Sequence, residues 1–249
     1  VELARRTQNG NEARLASALD SHAQLLHEKS NPSDALREFE AALAMRQRLH
    51  GSDHESVAES LNHMAECLES LGHQSDALEK YEAALAMRQR LFKGDDQAVA
   101  ESLNSVALCL WSLGRRAEAL AKTEEVLAIR QRLFKGDHPD IAASLANMAS
   151  CLDAMGKMEE ALPRHQEALA MQRRLYKGDH PAVAECLNTV ALCLLSLGRS
   201  NEALPAFEEA LAIQQRLFKG DHTDIAANLT CLASCLPSMS QPEDALHKH

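Results

Sequence analysis

The stretch that decides the fold is GDDQAVAESLNSVALCLWSLGRRAEALAKTEEVLAIRQRLFK, residues 94–135. The rest of the chain repeats it with variation: Val57, Val99 and Ile141 are successive counterparts 42 residues apart, and Gly114 recurs with the same spacing. An Ala-Leu pair keeps this register without an insertion from Ala35 to Ala245. A fixed period of about 20–50 residues predicts an array of stacked repeats rather than a single globular core.

Each unit reads as a pair of helices. Apolar residues recur at spacings of three and four over Gln97 to Leu113 and again over Arg116 to Phe134, which is the helical period. Gly114 separates the two segments, and a glycine just past an apolar stripe can take the left-handed conformation that ends a helix. A helical hairpin this small cannot bury both of its faces alone, so we expect each unit to stack on its neighbours.

The register divides the chain into one array of repeats. We place a tail of a preceding repeat at 1–10, full repeats at about 11–50, 51–93, 94–135, 136–177 and 178–219, and a partial repeat at 220–249. In the first repeat, Asn31 stands in for the connector glycine. Because both ends fall inside a repeat, we expect the chain to be a fragment of a longer array.

A second period is visible within the first. Repeats three and five read VALCLWSLGR and VALCLLSLGR, whereas repeats two, four and six read MAECLESLGH, MASCLDAMGK and LASCLPSMSQ. Either duplication of a repeat pair or a surface that alternates apolar and polar positions explains the alternation.

The small-residue pattern resembles tetratricopeptide (TPR) repeats. Ala107 and Ala119 lie 12 residues apart, and the aromatic residue that such repeats carry four positions later is present as Phe39, Tyr81 and Phe207 but replaced at Thr123 and His165. The 42-residue length, the Ser-Leu-Asn stretches and the Gly-Asp-His-Pro linkers are similar to kinesin light chain and nephrocystin-type repeats. This resemblance implies an all-α, right-handed superhelical solenoid whose first helices line a concave groove.

Composition excludes several classes of function. The net charge of −10 argues against binding to nucleic acid, which needs a basic face. No apolar run reaches the length of about 18 residues that a membrane span requires, so no membrane partner is predicted.

The cysteines are predicted to lie in the core. Five of the seven cysteines recur 42 residues apart, at Cys67, Cys109, Cys151, Cys193 and Cys235. Packed helices lie about 8–10 Å apart, whereas the Cα atoms of a disulfide must come within about 7 Å. We therefore predict small buried thiols in a reducing compartment, the cytoplasm.

First-helix residues off the apolar stripe are the predicted partner-binding site. They are Glu59, Asn62, Glu66, Glu69, Glu101, Asn104, Leu108, Trp111, Asp153, Glu185, Asn188, Leu192 and Leu195. The resemblance implies that the asparagines clamp a peptide backbone, although solvated asparagines would read the same. Trp111 with the leucines would form an apolar contact patch, unless Trp111 packs on a neighbouring helix. Lys and Arg are nearly absent from the first helices, so we expect a basic or apolar partner segment.

No pattern for catalysis was found in the sequence. The linker histidines at positions 54, 138, 180 and 222 share an edge without converging, and metal binding needs convergence. The sequence has no nucleophile, base and orienting group in a recognisable pattern. We therefore predict a protein-interaction scaffold with no enzyme activity, cofactor or metal. The alternative is a regulatory or oligomerisation arm of a larger multidomain protein.

Overall fold

The computed structural model describes the backbone of residues 2–218 and 223–239, and the side chains of most of them. This part of the chain holds eleven helices and no strand. The helices are α1 (Glu2–Glu28), α2 (Pro32–His50), α3 (Glu55–Ser70), α4 (Gln74–Leu91), α5 (Gln97–Ser112), α6 (Arg116–Leu133), α7 (Pro139–Ala154), α8 (Met158–Leu175), α9 (Pro181–Ser196), α10 (Ser200–Leu217) and α11 (Thr223–Met239). The all-α prediction is confirmed. Positions 219–222 and 240–249, including His222, lie outside the described residues.

The helices form two compact units, with the boundary between Leu133 and Phe134. Within each unit, the two helices of a repeat pack on each other, and the second helix also packs on the first helix of the next repeat. The contacts of α2 with α3 and α4 with α5 show this in unit one, and those of α8 with α9 and α10 with α11 in unit two. The first helices of successive repeats also touch, α1 with α3 and α9 with α11. This is the stacking of helical hairpins that the repeat predicts.

Small residues let the helices approach closely. Ala35, Ala77, Ala119, Ala161 and Ala203 occupy the same place in five repeats, and all are fully buried. The aromatic position four residues later is buried whatever its side chain, and its members are Phe39, Tyr81, Thr123, His165 and Phe207. The described cysteines form no disulfide, and all but Cys231 are buried, which confirms their place in the core. The side chain of Cys235 lies outside the described residues.

The turn between the two helices of a hairpin contains a residue in the left-handed backbone conformation, with positive φ. Gly114 has φ +73°, and the amide of Arg115 donates to the carbonyl of Leu110 at 2.9 Å, which closes the last turn of α5. In the first repeat this residue is Ser30, at φ +59°, and not Asn31. The prediction that Asn31 stands in for the glycine was therefore wrong by one position.

The first helix begins earlier than predicted. The first full repeat was expected to begin at about residue 11, but α1 runs without a break from Glu2 to Glu28. Gly10 lies inside this helix and does not take positive φ, so it does not act as a stop. The assignment of 1–10 to a preceding repeat stays a prediction.

Linker histidines cap the first helices. The Nδ1 atoms of His138 and His180 accept hydrogen bonds from the amides two residues on, both at 3.2 Å. Each imidazole also stacks on the aromatic ring four residues earlier: Phe134 with His138 and Tyr176 with His180, each pair with ring centroids 3.5 Å apart. Pro139 and Pro181 then occupy the first turn, where a missing amide proton is tolerated. These histidines have a structural role as caps.

In four of the hairpins, a surface ion pair connects the end of the second helix to the linker before the first helix. An arginine near the end of the second helix forms two hydrogen bonds with the aspartate of the Gly-Asp or Ser-Asp linker that precedes the first helix. The pairs are Arg90 with Asp53, Arg132 with Asp95, Arg174 with Asp137 and Arg216 with Asp179. The hydrogen bonds from these arginines hold the pKa of each aspartate below its usual value.

Candidate functional site

In unit one, the first helices α3 and α5 present the predicted residues along one side. Glu59 and Glu66 lie seven residues apart on α3, and both are exposed. On α5, Glu101 and Leu108 have the same spacing and are likewise exposed. We call the exposed residues Glu59 and Glu66 of α3 and Glu101, Leu108 and Trp111 of α5 the unit-one surface.

Trp111 forms an apolar patch with Leu108 on this surface. The two residues lie one turn apart on α5 and are 37% and 47% exposed. Arg116, at the start of α6, places its guanidinium carbon 6.0 Å from the indole centroid, which is cation–π distance. More than a third of the indole therefore faces solvent while Arg116 lies at cation–π distance from the ring.

The predicted asparagines lie at the edge of the packed interior. Asn62, Asn104 and Asn188 are all half-buried. The Oδ1 atoms of Asn62 and Asn188 are shielded from solvent and accept no hydrogen bond from the described residues. A buried acceptor without a donor is costly, and neither oxygen can be reached by a ligand or a water until its amide side chain moves.

Two of the predicted acidic residues are engaged within their own hairpins. Glu69 accepts a hydrogen bond from the Tyr81 hydroxyl at 3.0 Å. Asp153, two repeats further on, is hydrogen-bonded to Nε2 of the buried His165 at 2.7 Å. The acidic residues at positions 69 and 153 therefore each form a hydrogen bond with the ring-bearing residue 12 positions later, on the second helix of the same hairpin. Sequence reasoning missed this pairing, although the co-occurrence of an acid with Tyr or His at that spacing was available as a signal.

Buried polar residues recur at one position of the second helices, and sequence reasoning missed them. The residues recur 42 apart on the second helices, as Arg46, Arg88, Arg130, Gln172 and Gln214, and all are buried. Arg88 donates to Glu55 at 2.7 Å, to the Ser102 hydroxyl at 2.9 Å and to the Ala98 carbonyl at 3.3 Å. Since Glu55 begins α3 and Ser102 lies on α5, this arginine fixes the two first helices of the unit-one surface relative to α4.

Arg46 makes the corresponding contacts one repeat earlier. It donates to Asp20 at 2.9 Å and to the Ser60 hydroxyl. Nδ1 of His63 lies 3.5 Å from Oδ1 of Asp20, and this neighbouring carboxylate raises the pKa of His63 despite its burial. Burial alone would raise the pKa of Asp20, but the contacts with His63 and Arg46 outweigh it and lower that pKa.

In unit two, two of the four predicted residues of α9 line a cleft. Leu192 is 44% exposed, Leu195 is half-buried and Glu185 is exposed. Glu185 and Asn188 line a cleft of about 430 Å³ between α9, α10 and α11. We call this the α9–α11 cleft. Its other walls include Pro181, Gln214, Phe218 and Ala227.

Within the described residues, no three His, Cys, Asp or Glu side chains are placed to hold a metal ion. None of the described helices combines the length and the apolar character that crossing a bilayer needs.

A family model for the tetratricopeptide repeat matches residues 14–90, 96–174, 147–216 and 187–249. The chain belongs to the tetratricopeptide repeat family. The predicted fold family is confirmed. TPR arrays generally mediate protein–protein interactions and are typically scaffolds without enzyme activity.

Solved TPR structures share the fold. A Podosopora anserina protein described as a kinesin light chain with nearly identical TPR-like repeats is 22% identical, with a TM-score of 0.74 over 83% of this chain and 97% of that one. BtubC (BKLC) from P. vanneervenii is 20% identical, with a TM-score of 0.76 over 89% and 90%. A Rap protein complexed with competence and sporulation factor is 15% identical, with a TM-score of 0.61 over 88% and 62%. The kinesin light chain-like character of the repeats is thus confirmed at the level of fold. No match to this TPR chain was found among curated proteins.

Proposed function

We propose that the TPR chain is an interaction scaffold that binds an extended, basic or apolar partner segment along the concave groove lined by its first helices. The observation that carries the proposal is the exposed Leu108–Trp111 patch on a helix that also presents Glu101. Exposed aromatic and aliphatic residues flanked by charge are typical of contact sites.

Charge and hydrogen bonding support the same partner class. Glu59, Glu66 and Glu101 are exposed carboxylates on the unit-one surface, and basic residues are sparse on the first helices. Asn62, half-buried on the same helix as Glu59 and Glu66, carries an amide that can both donate to and accept from the backbone of an extended segment. Complementary charge favours a basic segment mainly through its association rate and specificity. The described core cysteines form no disulfide, which supports a reducing, cytoplasmic location.

The proposal can be tested without a known partner. Random peptides displayed on phage are selected on the purified chain, and the affinities of the selected peptides are measured by fluorescence anisotropy. Trp111→Ala should weaken binding at least about tenfold, since an aromatic hot spot contributes about 2 kcal/mol or more.

The charge contribution has a matched control. Glu59→Lys with Glu66→Lys should weaken basic peptides and increase the affinity of acidic ones. The pair Glu79→Lys and Glu82→Lys makes the same change in net charge on the exposed side of α4 and should have little effect. Glu69 is left intact because its carboxylate accepts the Tyr81 hydrogen bond. Selected peptides whose binding ignores both Trp111→Ala and the α3 charge reversal would contradict the proposal.

A further inference from the structure

Helix α1 exposes a face that α3, α5, α7 and α9 bury. The positions are 15, 18, 22 and 25, which share one side of the helix because they lie three and four residues apart. The counterparts of all four positions are buried on each of the other four helices. On α1 all four are exposed, and they are Leu15, Ala18, His22 and Leu25. We call these four residues the α1 open face.

In the later repeats this face is covered by the preceding second helix, and α2 on α3 shows how. Phe39 of α2 packs with the residues at positions 64 and 67, and Leu43 packs against the cluster that holds position 57. Arg46, three residues further on, donates to the Ser60 hydroxyl. The covering stripe of α2 is therefore two large apolar residues followed by a buried arginine.

Residues 2–12 do not fold back over the α1 open face. In the next repeat a short linker, residues 51–54, reverses the chain between α2 and α3, and Gly51 in it has φ +83°. The corresponding positions 9–12 are helical, and Gly10 does not take positive φ. Residues 2–12 therefore extend in line with the rest of α1, and the face stays uncovered within the described chain.

The α1 open face is also more apolar than its buried counterparts. Leu25 stands where the four later helices carry cysteine, and Ala18 where three of them carry serine. Among the described large hydrophobic side chains, Leu15 and Leu25 are the most exposed, at 50% and 52%. They lie about 15 Å apart along the helix axis. Between them His22 is held by Glu38 of α2 at 2.7 Å, so the face has a polar centre and two apolar ends.

We propose that the α1 open face binds an amphipathic helix of a partner protein, in the place that a preceding second helix takes in the later repeats. The packing of second helices on first helices reaches α1, where only the covering helix is missing. The partner helix carries large apolar residues about three turns apart, opposite Leu15 and Leu25. Where α2 has Arg46, the partner has an apolar residue, because Ala18 offers no hydroxyl and the exposed Arg14 lies one turn away.

The second helices of another copy of this chain do not fit that description. The helices α2, α4, α8 and α10 already lie against α3, α5, α9 and α11, so their apolar stripes are in use. The position that must be apolar is also polar on every described second helix, where it holds Arg46, Arg88, Arg130, Gln172 and Gln214. The helix that covers α1 therefore comes from a different protein.

The probe is the 19-residue peptide of α2, residues 32–50, carrying Arg46→Leu, with blocked ends and a fluorescein label. Its binding to the full chain is measured by fluorescence anisotropy and compared with the unaltered α2 peptide and with a scrambled peptide of the altered composition. The altered peptide should bind about tenfold more tightly than the unaltered one, because the arginine would lose water without gaining an acceptor. The scrambled peptide should not bind.

Three variants of the chain locate the site. Leu25→Glu should weaken the altered peptide at least about tenfold, because it removes an apolar contact and puts a charge there. The matched control is Ser17→Glu, which adds the same charge to α1 at the exposed position where α3 carries Glu59, and it should leave the affinity unchanged. Ala18→Ser restores the hydroxyl that receives Arg46 on α3 and should narrow the difference between the two peptides. Circular dichroism verifies that each variant keeps its helices.

Binding that ignores Leu25→Glu, a preference for the unaltered peptide, or binding no tighter than that of the scrambled peptide would each overturn the inference. Sedimentation that shows the chain alone to be a dimer, and Leu25→Glu to be a monomer, would overturn it as well, since a second copy would then cover the face. The inference is independent of the proposed concave groove, so Trp111→Ala should leave the binding of the altered peptide unchanged.

Discussion

Replacing Arg88 with alanine should destabilise the array far more than replacing Arg90, two residues further along α4. Both arginines form two hydrogen bonds with a carboxylate, Arg88 with Glu55 and Arg90 with Asp53. They differ in environment, because the Arg88 side chain is 7% exposed and the Arg90 side chain 55%. Comparing the alanine variants of Arg88 and Arg90 therefore isolates the effect of burial, because both remove an arginine that is bonded to a carboxylate.

The expected loss of stability depends on the groups that Arg88→Ala leaves without their partner, which are Glu55 and Ser102. Removing one partner of a buried ion pair costs about 3–5 kcal/mol. Glu55 is 33% exposed and can rehydrate, which moves the cost toward the lower end. The Ser102 hydroxyl is fully buried and loses its donor, which adds about 1 kcal/mol or more. We expect a loss of about 4 kcal/mol for Arg88→Ala, and little measurable effect for Arg90→Ala because solvent and salt screen that pair.

Urea unfolding followed by circular dichroism gives the first comparison. Because repeat arrays need not unfold in one step, native-state hydrogen exchange of the α4 and α5 amides gives the local cost. Arg88→Gln should lie between wild type and Arg88→Ala, since glutamine occupies this position at Gln172 and Gln214. An equal loss for Arg90→Ala, or an unchanged exchange rate in α5 for Arg88→Ala, would refute the reasoning.

Three further predictions concern single sites. Gly114→Ala should lower the stability by about 1–2 kcal/mol, since Gly114 has φ +73°. Gly10→Ala, inside α1, should raise the stability by up to about 1 kcal/mol. Thermal unfolding of the two variants distinguishes these opposite effects. Contact with Asp20 raises the pKa of His63 above its ordinary 6.5, so the stabilising protonated form is complete below pH 6.5 and is lost as pH rises through the raised value. His63→Gln should remove this decline from a stability–pH profile. Burial raises the pKa of four thiols to about 11 or 12, so iodoacetamide should modify them at neutral pH only after unfolding, as mass spectrometry would show. They are Cys67, Cys109, Cys186 and Cys193.

The helix pairs were predictable because their cause is local and repeated. Apolar spacing and the glycine after each first helix gave Gln97 to Leu113 and Arg116 to Phe134, and the structure has Gln97–Ser112 and Arg116–Leu133. The pattern fails in the first repeat, where Ser30 takes the left-handed conformation without being glycine. At Ser30 the packing of the hairpin determines the turn, and the intrinsic preference of glycine for positive φ plays no part.

The polar contacts between elements were less predictable. An arginine on a second helix reads as a surface residue, and nothing local distinguishes Arg88 from Arg90, since burial depends on the neighbouring repeat. Likewise Glu69 and Asp153 read as surface acids, yet their hydrogen bonds reach the second helix of the same hairpin. The predicted binding role of the remaining first-helix residues stays a prediction, because it depends on a partner.

Photo-crosslinking of a phage-selected peptide tests most directly whether the first helices bind the partner. A benzoylphenylalanine is placed at Leu108 or Leu192 on the first helices, or at the exposed Gln89 or Gln131 on the second helices. Crosslinks from positions 108 or 192 and none from 89 or 131 are the predicted result. Crosslinks confined to positions 89 and 131 would contradict the account.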